Sequence, residues 1–215
     1  MSNNPFFGSF RKKLIEIDGF RVENISSLHK YPADTSERVL KELLLFACDT
    51  TNEVYITYAR NCIQRINRKW RLEHILESAK ECLDFSDDWE YQRFLELIDL
   101  SAFELMQDVI LIGKDSENPE VKDSSQDFRE YLERLSAHPD ECFHDQILKA
   151  VLNGETLWYL AEIAHKFKSL GMDREHMYEL LESLRSETEN VTQEEQIFNL
   201  MDLMFGFCHP DMRIF

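Results

Sequence analysis

Apolar positions recur at helical spacing from about residue 34 onward. The segment "TTNEVYITYARNCIQRI" places Val54, Tyr58, Cys62 and Ile66 at successive i+4 steps, with Tyr55, Ala59 and Ile63 alongside. That is one wide apolar face of a helix. A helix is expected before it, starting after Asp34 or Thr35 and running through "SERVLKELLLFA". Another follows in "KWRLEHILESAKECL", with Leu72, Ile75, Leu76, Ala79 and Leu83 on one side. In "DFSDDWEYQRFLELIDL", residues 84–100, Asp87 precedes Glu90 by three positions, the spacing of a reciprocal helix-start cap. Asp87 and Asp88 lie where the helix dipole favours negative charge. Tyr91, Phe94, Leu95 and Ile98 follow the i, i+3, i+4, i+7 pattern of a buried face, and Glu96 falls outside it. Capping and solvation thus account for the carboxylates here, and packing for the aromatics.

Further helices fit "SAFELMQDVILIG", "NPEVKDSSQDFREYLERL", "CFHDQILKAVL", "ETLWYLAEIAHKFKSL", "REHMYELLESLRS" and "QEEQIFNLMDLMFGF". Pro119 sits in a first turn, where proline is tolerated. Asn153-Gly154 and Gly171 punctuate the later helices, and Thr192 with Glu195 reads as a second capping box. Residues 1–33 read as irregular, with Pro5, Gly8, Gly19 and Pro32 as breaks. The apolar end, "LMDLMFGFCHPDMRIF", is expected to dock on the fold. No stretch shows sustained period-two alternation, and Gly and Pro are few. The expectation is an all-α protein, at least roughly 60% helical, in about ten helices.

The helices fall into short pairs between residues 34 and 135. The second member of each pair opens alike, as "NEVY", "WEYQ" and "PEVK", with Glu53, Glu90 and Glu120 spaced 37 and 30 residues apart. "NPEVKDSSQDF" and "NEVYITYARNCI" resemble the opening of the second helix in HEAT repeats. The resemblance implies a short superhelical array of helix pairs over 34–135, each burying its face on the next. Residues 140–215 leave that period and are expected to form a smaller helical subdomain.

Charge changes the picture more than composition does. Residues 1–75 carry 12 Lys+Arg and 9 Asp+Glu, whereas residues 76–215 carry 12 and 32. A fold does not need that imbalance. It opposes binding of nucleic acid or an anionic membrane through the larger part of the chain and favours a basic protein partner. The basic group Arg60, Arg65, Arg68, Lys69 and Arg71 around Trp70 is better suited to helix ends and internal ion pairs than to phosphate. No apolar run is long enough to cross a membrane. The N-terminus lacks the apolar core of a secretory signal. Five Cys without a CxxC spacing read as reduced thiols, with Cys48, Cys62 and Cys82 in apolar helical patterns. These features together suggest a cytoplasmic protein.

Chemistry-bearing groups are sparse. Glu141 with His144, and Glu162 with His165, have the Glu-x-x-His spacing of di-iron bundles. Two such pairs are close to the chance number in a chain this rich in Glu. On a helical wheel Glu162 falls nearly opposite the face of Leu157, Leu160, Ala161, Ala164 and Phe167. His138, Cys142 and His144 offer zinc donors without a fourth, and Cys208-His209 are adjacent rather than facing. There is no P-loop, GxGxxG, GxSxG or HExxH. The chain therefore reads as a non-enzyme without a cofactor or bound metal.

"DDWEYQRFLELIDL", "LMDLMFGFCHPDMRIF", the size and the acidity resemble the small acidic helical immunity proteins of bacterial toxin–immunity systems. That resemblance implies a protein that neutralises a basic toxin domain, with an acidic surface steering association. The expected contact residues are Asp84, Asp87, Asp88, Glu90 and Glu96. A HEAT-like adaptor with an unrelated protein partner is the alternative, and a helical metal-dependent enzyme the third.

Overall fold

A computed structural model describes residues 5–49, 51–208 and 213–215. The protein is all-α: about 80% of the described residues are helical and none forms a strand. The described residues form eleven α-helices: α1 Pro5–Glu16, α2 Ala33–Cys48, α3 Glu53–Gln64, α4 Arg68–Cys82, α5 Asp88–Ser101, α6 Met106–Lys114, α7 Pro119–Ala137, α8 Pro139–Leu152, α9 Leu157–Ser169, α10 Arg174–Leu184 and α11 Val191–Phe205. Two compact units, Met1–Phe128 and Arg129–Phe215, divide within α7.

Residues 1–33, expected to be irregular, instead contain α1 and a 3-10 helix, Val22–Lys30. Pro5 is the first residue of α1, where its missing N–H costs nothing, so it starts a helix rather than breaking one. Gly8 lies inside α1. The real break is Asp18-Gly19, both at positive φ. Phe10 and Leu14 are fully buried, and the Phe10 ring meets Phe46 and Tyr58 at 4.8 and 4.9 Å between centroids.

In the first unit α2 is the central helix, packed against α1, α3, α4 and α5. Its Val39, Leu40, Leu43, Leu44, Ala47 and Cys48 are all fully buried. Helices α3 and α5 run parallel, because contacts advance together along both. Arg60 Nη2 meets Glu96, Gln64 Nε2 donates to the Leu100 carbonyl, and Arg68, just past α3, meets Glu104. Gly113 in α6 permits a close approach: a Cβ there would lie 2.1 Å from Ser125 Oγ and 2.3 Å from Tyr91 Oη. Tyr91 donates to the Val109 carbonyl at 2.9 Å and lies 2.7 Å from Ser125 Oγ.

In the second unit α8, α9, α10 and α11 pack around Phe143, Ile147, Leu160, Phe167, Met177, Leu181, Ile197 and Leu200, all fully buried. Of the end expected to dock, Ile214 does so, whereas Phe207 is 79% exposed and residues 209–212 lie outside the described residues. Ile214 is 2% exposed, its N–H donates to the Leu203 carbonyl, and Lys168 Nζ donates to its carbonyl.

Candidate functional site

The acidic stretch occupies the turn between α4 and α5 and the first turns of α5. Asp87 is the N-cap of α5 and accepts from the Glu90 N–H at 3.0 Å. The reciprocal half of the expected box is displaced. The Glu90 carboxylate accepts from the Asp84 N–H at 3.0 Å, while the Asp87 N–H turns back to the Asp84 carbonyl. Asp84 accepts from both the N–H and the hydroxyl of Ser86, which holds its carboxyl below the usual range. Burial pushes Glu90 up, against the Asp84 N–H bond, and nearby Asp49, Asp87 and Asp84 add to the rise. Asp88 is exposed.

Glu96 differs from the other four. It was expected to be exposed; it is half-exposed and ion-paired with Arg60 at 2.9 Å. It belongs to the α3–α5 contact more than to a free acidic face. Tyr91, Phe94, Leu95 and Ile98 are fully buried, as the periodicity requires. Trp89 is the exception to the reading of the aromatics as core. It is 48% exposed, with the Arg93 guanidinium 4.1 Å from its ring centroid. Arg93 also reaches Glu53 at 3.3 Å. The site is therefore an exposed Trp among Asp84, Asp87 and Asp88, stiffened by a cation on its face.

The similar openings of α3, α5 and α7 have a shared local cause. Asn52, Asp87 and Asn118 each accept from a backbone N–H two or three residues on. Asn118 Nδ2 also donates to the Ser86 carbonyl, tying the start of α7 to the acidic turn at 2.8 Å. The second expected capping box is shifted. Asn190, not Thr192, caps α11, and Gln193 accepts from the Glu189 N–H.

Arg68 and Arg71, on either side of Trp70, have internal roles, whereas Lys69 is exposed. Arg68 makes two bonds to Glu104, at 2.7 and 2.8 Å. Arg71 is 0% exposed, and its Nη1 donates to the carbonyls of Ile63, Gln64 and Ile66 at the end of α3. The cation thus satisfies carbonyls that the helix leaves open.

The metal candidates separate. His144 pairs with Glu187 at 2.7 Å, and Glu141 is exposed. Glu162 is not opposite the core face; it is 7% exposed. Lys166, one turn on, is 2% exposed and donates to Tyr131 Oη and Gln146 Oε1, both at 3.0 Å. Because α9 packs against both α8 and α11, its buried arc is wide enough to take in polar positions. His138 is exposed and Cys142 half-buried; His209 lies outside the described residues. Among the described residues no three His, Cys, Asp or Glu side chains group as a metal site would require. All five cysteines are free. Burial pushes the Cys62 thiol up to about 12 and Cys82 up to about 11, and raises Cys48 still further. These thiols stay protonated and unreactive near neutral pH. No described helix is long and apolar enough to cross a membrane.

No protein-family model, curated protein or solved structure matches the chain.

Proposed function

We propose that this protein is a cytoplasmic interaction module that binds and neutralises a basic toxin domain, as an immunity protein does. One observation carries the reading: residues 76–215 hold 32 acidic against 12 basic residues. Much of the basic complement of the first part is already engaged, Arg60 with Glu96, Arg68 with Glu104 and Arg71 with backbone. The acidic excess is left facing outward, where it accelerates encounter with a cationic surface. Asp84, Asp87 and Asp88, with Glu90 beneath them, form the contact, and Trp89 supplies the large aromatic anchor typical of binding hot spots. The protein acts by occupying its partner rather than by catalysis, without a cofactor.

The test is capture of partners on the full chain from its native host, followed by binding of the captured partner to the Asp84→Asn/Asp88→Asn and Trp89→Ala variants. Neither aspartate is the N-cap of α5, so helicity should survive. A cationic partner, bound about tenfold or more weakly by Trp89→Ala, supports the reading. A partner indifferent to all three changes contradicts it. A second reading, a HEAT-like adaptor for an unrelated protein, draws support from the shared caps and the parallel α3 and α5. A basic toxin-like reading frame beside the gene favours immunity, and its absence favours the adaptor.

A further inference from the structure

Helix α11 carries two faces of different kinds. Ile197, Leu200, Met201, Leu203 and Met204 are buried in the second unit. On the outer side Val191, Phe198 and Phe205 are 69%, 42% and 43% exposed. They are spaced seven residues apart, so successive members differ by only about 20° around the helix. Scattered exposed apolar residues are ordinary, but three aligned along one helix at heptad spacing match the spaced anchors of helix recognition. Glu195 and Asp202 are exposed on the same side, at the i+4 positions between the anchors. The face therefore alternates apolar, acidic, apolar, acidic, apolar.

Two arginines flank the rings. Arg185 lies 4.1 Å from the Phe198 centroid and Arg174 lies 4.9 Å from that of Phe205. Each is itself neutralised, Arg185 by Glu182 and Glu194, and Arg174 by Glu175. The flanks thus add rigidity to the rings and no net positive charge. Tyr178 meets Phe205 edge-on at 5.3 Å and fixes that ring further.

We propose that this outer face of α11 docks a basic amphipathic helix of a partner protein. Apolar residues at heptad spacing on such a helix would seat against Val191, Phe198 and Phe205, with Lys or Arg between them meeting Glu195 and Asp202. A second copy of this chain fits less well, because antiparallel pairing of the face would bring acidic residues of the two copies together. The surface is made by α11 of the second unit and the Trp89 site by residues of the first, so the proposal goes beyond the function proposed above.

The test uses the full chain and two labelled synthetic helices of about five turns, one with a Leu stripe and Lys between, the other with the same stripe and Glu between. Fluorescence anisotropy reads binding, and far-UV circular dichroism confirms the fold of each variant. The Leu/Lys helix should bind and the Leu/Glu helix should not. Phe198→Ser/Phe205→Ser should weaken binding about tenfold or more. Glu195→Gln/Asp202→Asn should weaken it several-fold and lessen its dependence on salt. Val191→Lys, at an exposed first-turn position, provides a second reading if the double Phe variant unfolds, and should also weaken binding. Asp84→Asn/Asp88→Asn should leave the affinity unchanged, which separates this surface from the Trp89 site. Equal binding of both helices, or binding indifferent to the Phe and Val changes, would overturn the proposal. So would loss of binding in the Asp84/Asp88 variant, or self-association of the chain abolished by Phe198→Ser/Phe205→Ser.

Discussion

Gly113 shows how one residue's environment sets the sign of a substitution. Alanine in a helix is favoured over glycine by about 1 kcal/mol. At Gly113 the added Cβ would collide with Ser125 Oγ and with the Tyr91 hydroxyl, which is held between the Val109 carbonyl and Ser125. Neither group can swing aside without losing a buried hydrogen bond. Overpacking of this kind costs about 1–3 kcal/mol and outweighs the propensity gain. Gly113→Ala should therefore lower the urea midpoint. Gly8→Ala should raise it slightly, since nothing lies within 4 Å of its added Cβ. Equal effects of the two changes would refute the packing described around Tyr91. The burial of Tyr91, Phe94, Leu95 and Ile98 was legible in the sequence because it follows from spacing alone. The stacking of Arg93 on Trp89 was not, because Arg93 also reaches Glu53 on another helix. Nor was the burial of Glu162 and Lys166. Lys166 donates to Tyr131 and Gln146, contacts that no local pattern announces.

At the scale of elements, helix existence was more legible than helix boundaries. Ten of the eleven α-helices follow from apolar periodicity, while α1 was hidden by Pro5 and Gly8, which read as breaks out of context. The cap of α5 was legible because Asp87 stands three residues before Glu90. At α11 two polar residues competed, and the backbone turned at Asn190 rather than Thr192. Side-chain pairs between elements of the second unit make a pH prediction. Asp140 raises the pKa of His176 by a direct bond at 2.8 Å, against a smaller opposing effect of burial. Burial lowers that of His144, but Glu187 and Asp145 outweigh it, and the net direction is also up. Each folded-state value then lies above the unfolded value of about 6.5. The folded protein holds more protons through this window, so the stabilisation is full below about pH 6.5 and lost as pH rises through the folded values. The melting temperature should fall from about pH 6 to about pH 8. The fall should flatten in His144→Gln/His176→Gln. A rise over that range in the unmodified protein would contradict the two pairings.

For the whole molecule, the all-α class and the acidic bias of the larger part were both present in the sequence. The surfaces were not, because they depend on which carboxylates the fold consumes. Glu96 and Glu104 are taken up by Arg60 and Arg68, whereas Asp87 caps α5 and still stays exposed. What remains outside is acidic, and in the proposed function this excess recruits a cationic partner. Steering by exposed charge acts on the association rate and is screened within about 8–10 Å at physiological salt. The most direct measurement is the association rate constant with the captured partner between about 50 and 500 mM salt. It should fall steeply across that range, while the dissociation rate changes much less. An association rate flat in salt, or contact only at the basic segment near Arg65 and Arg68, would contradict the account.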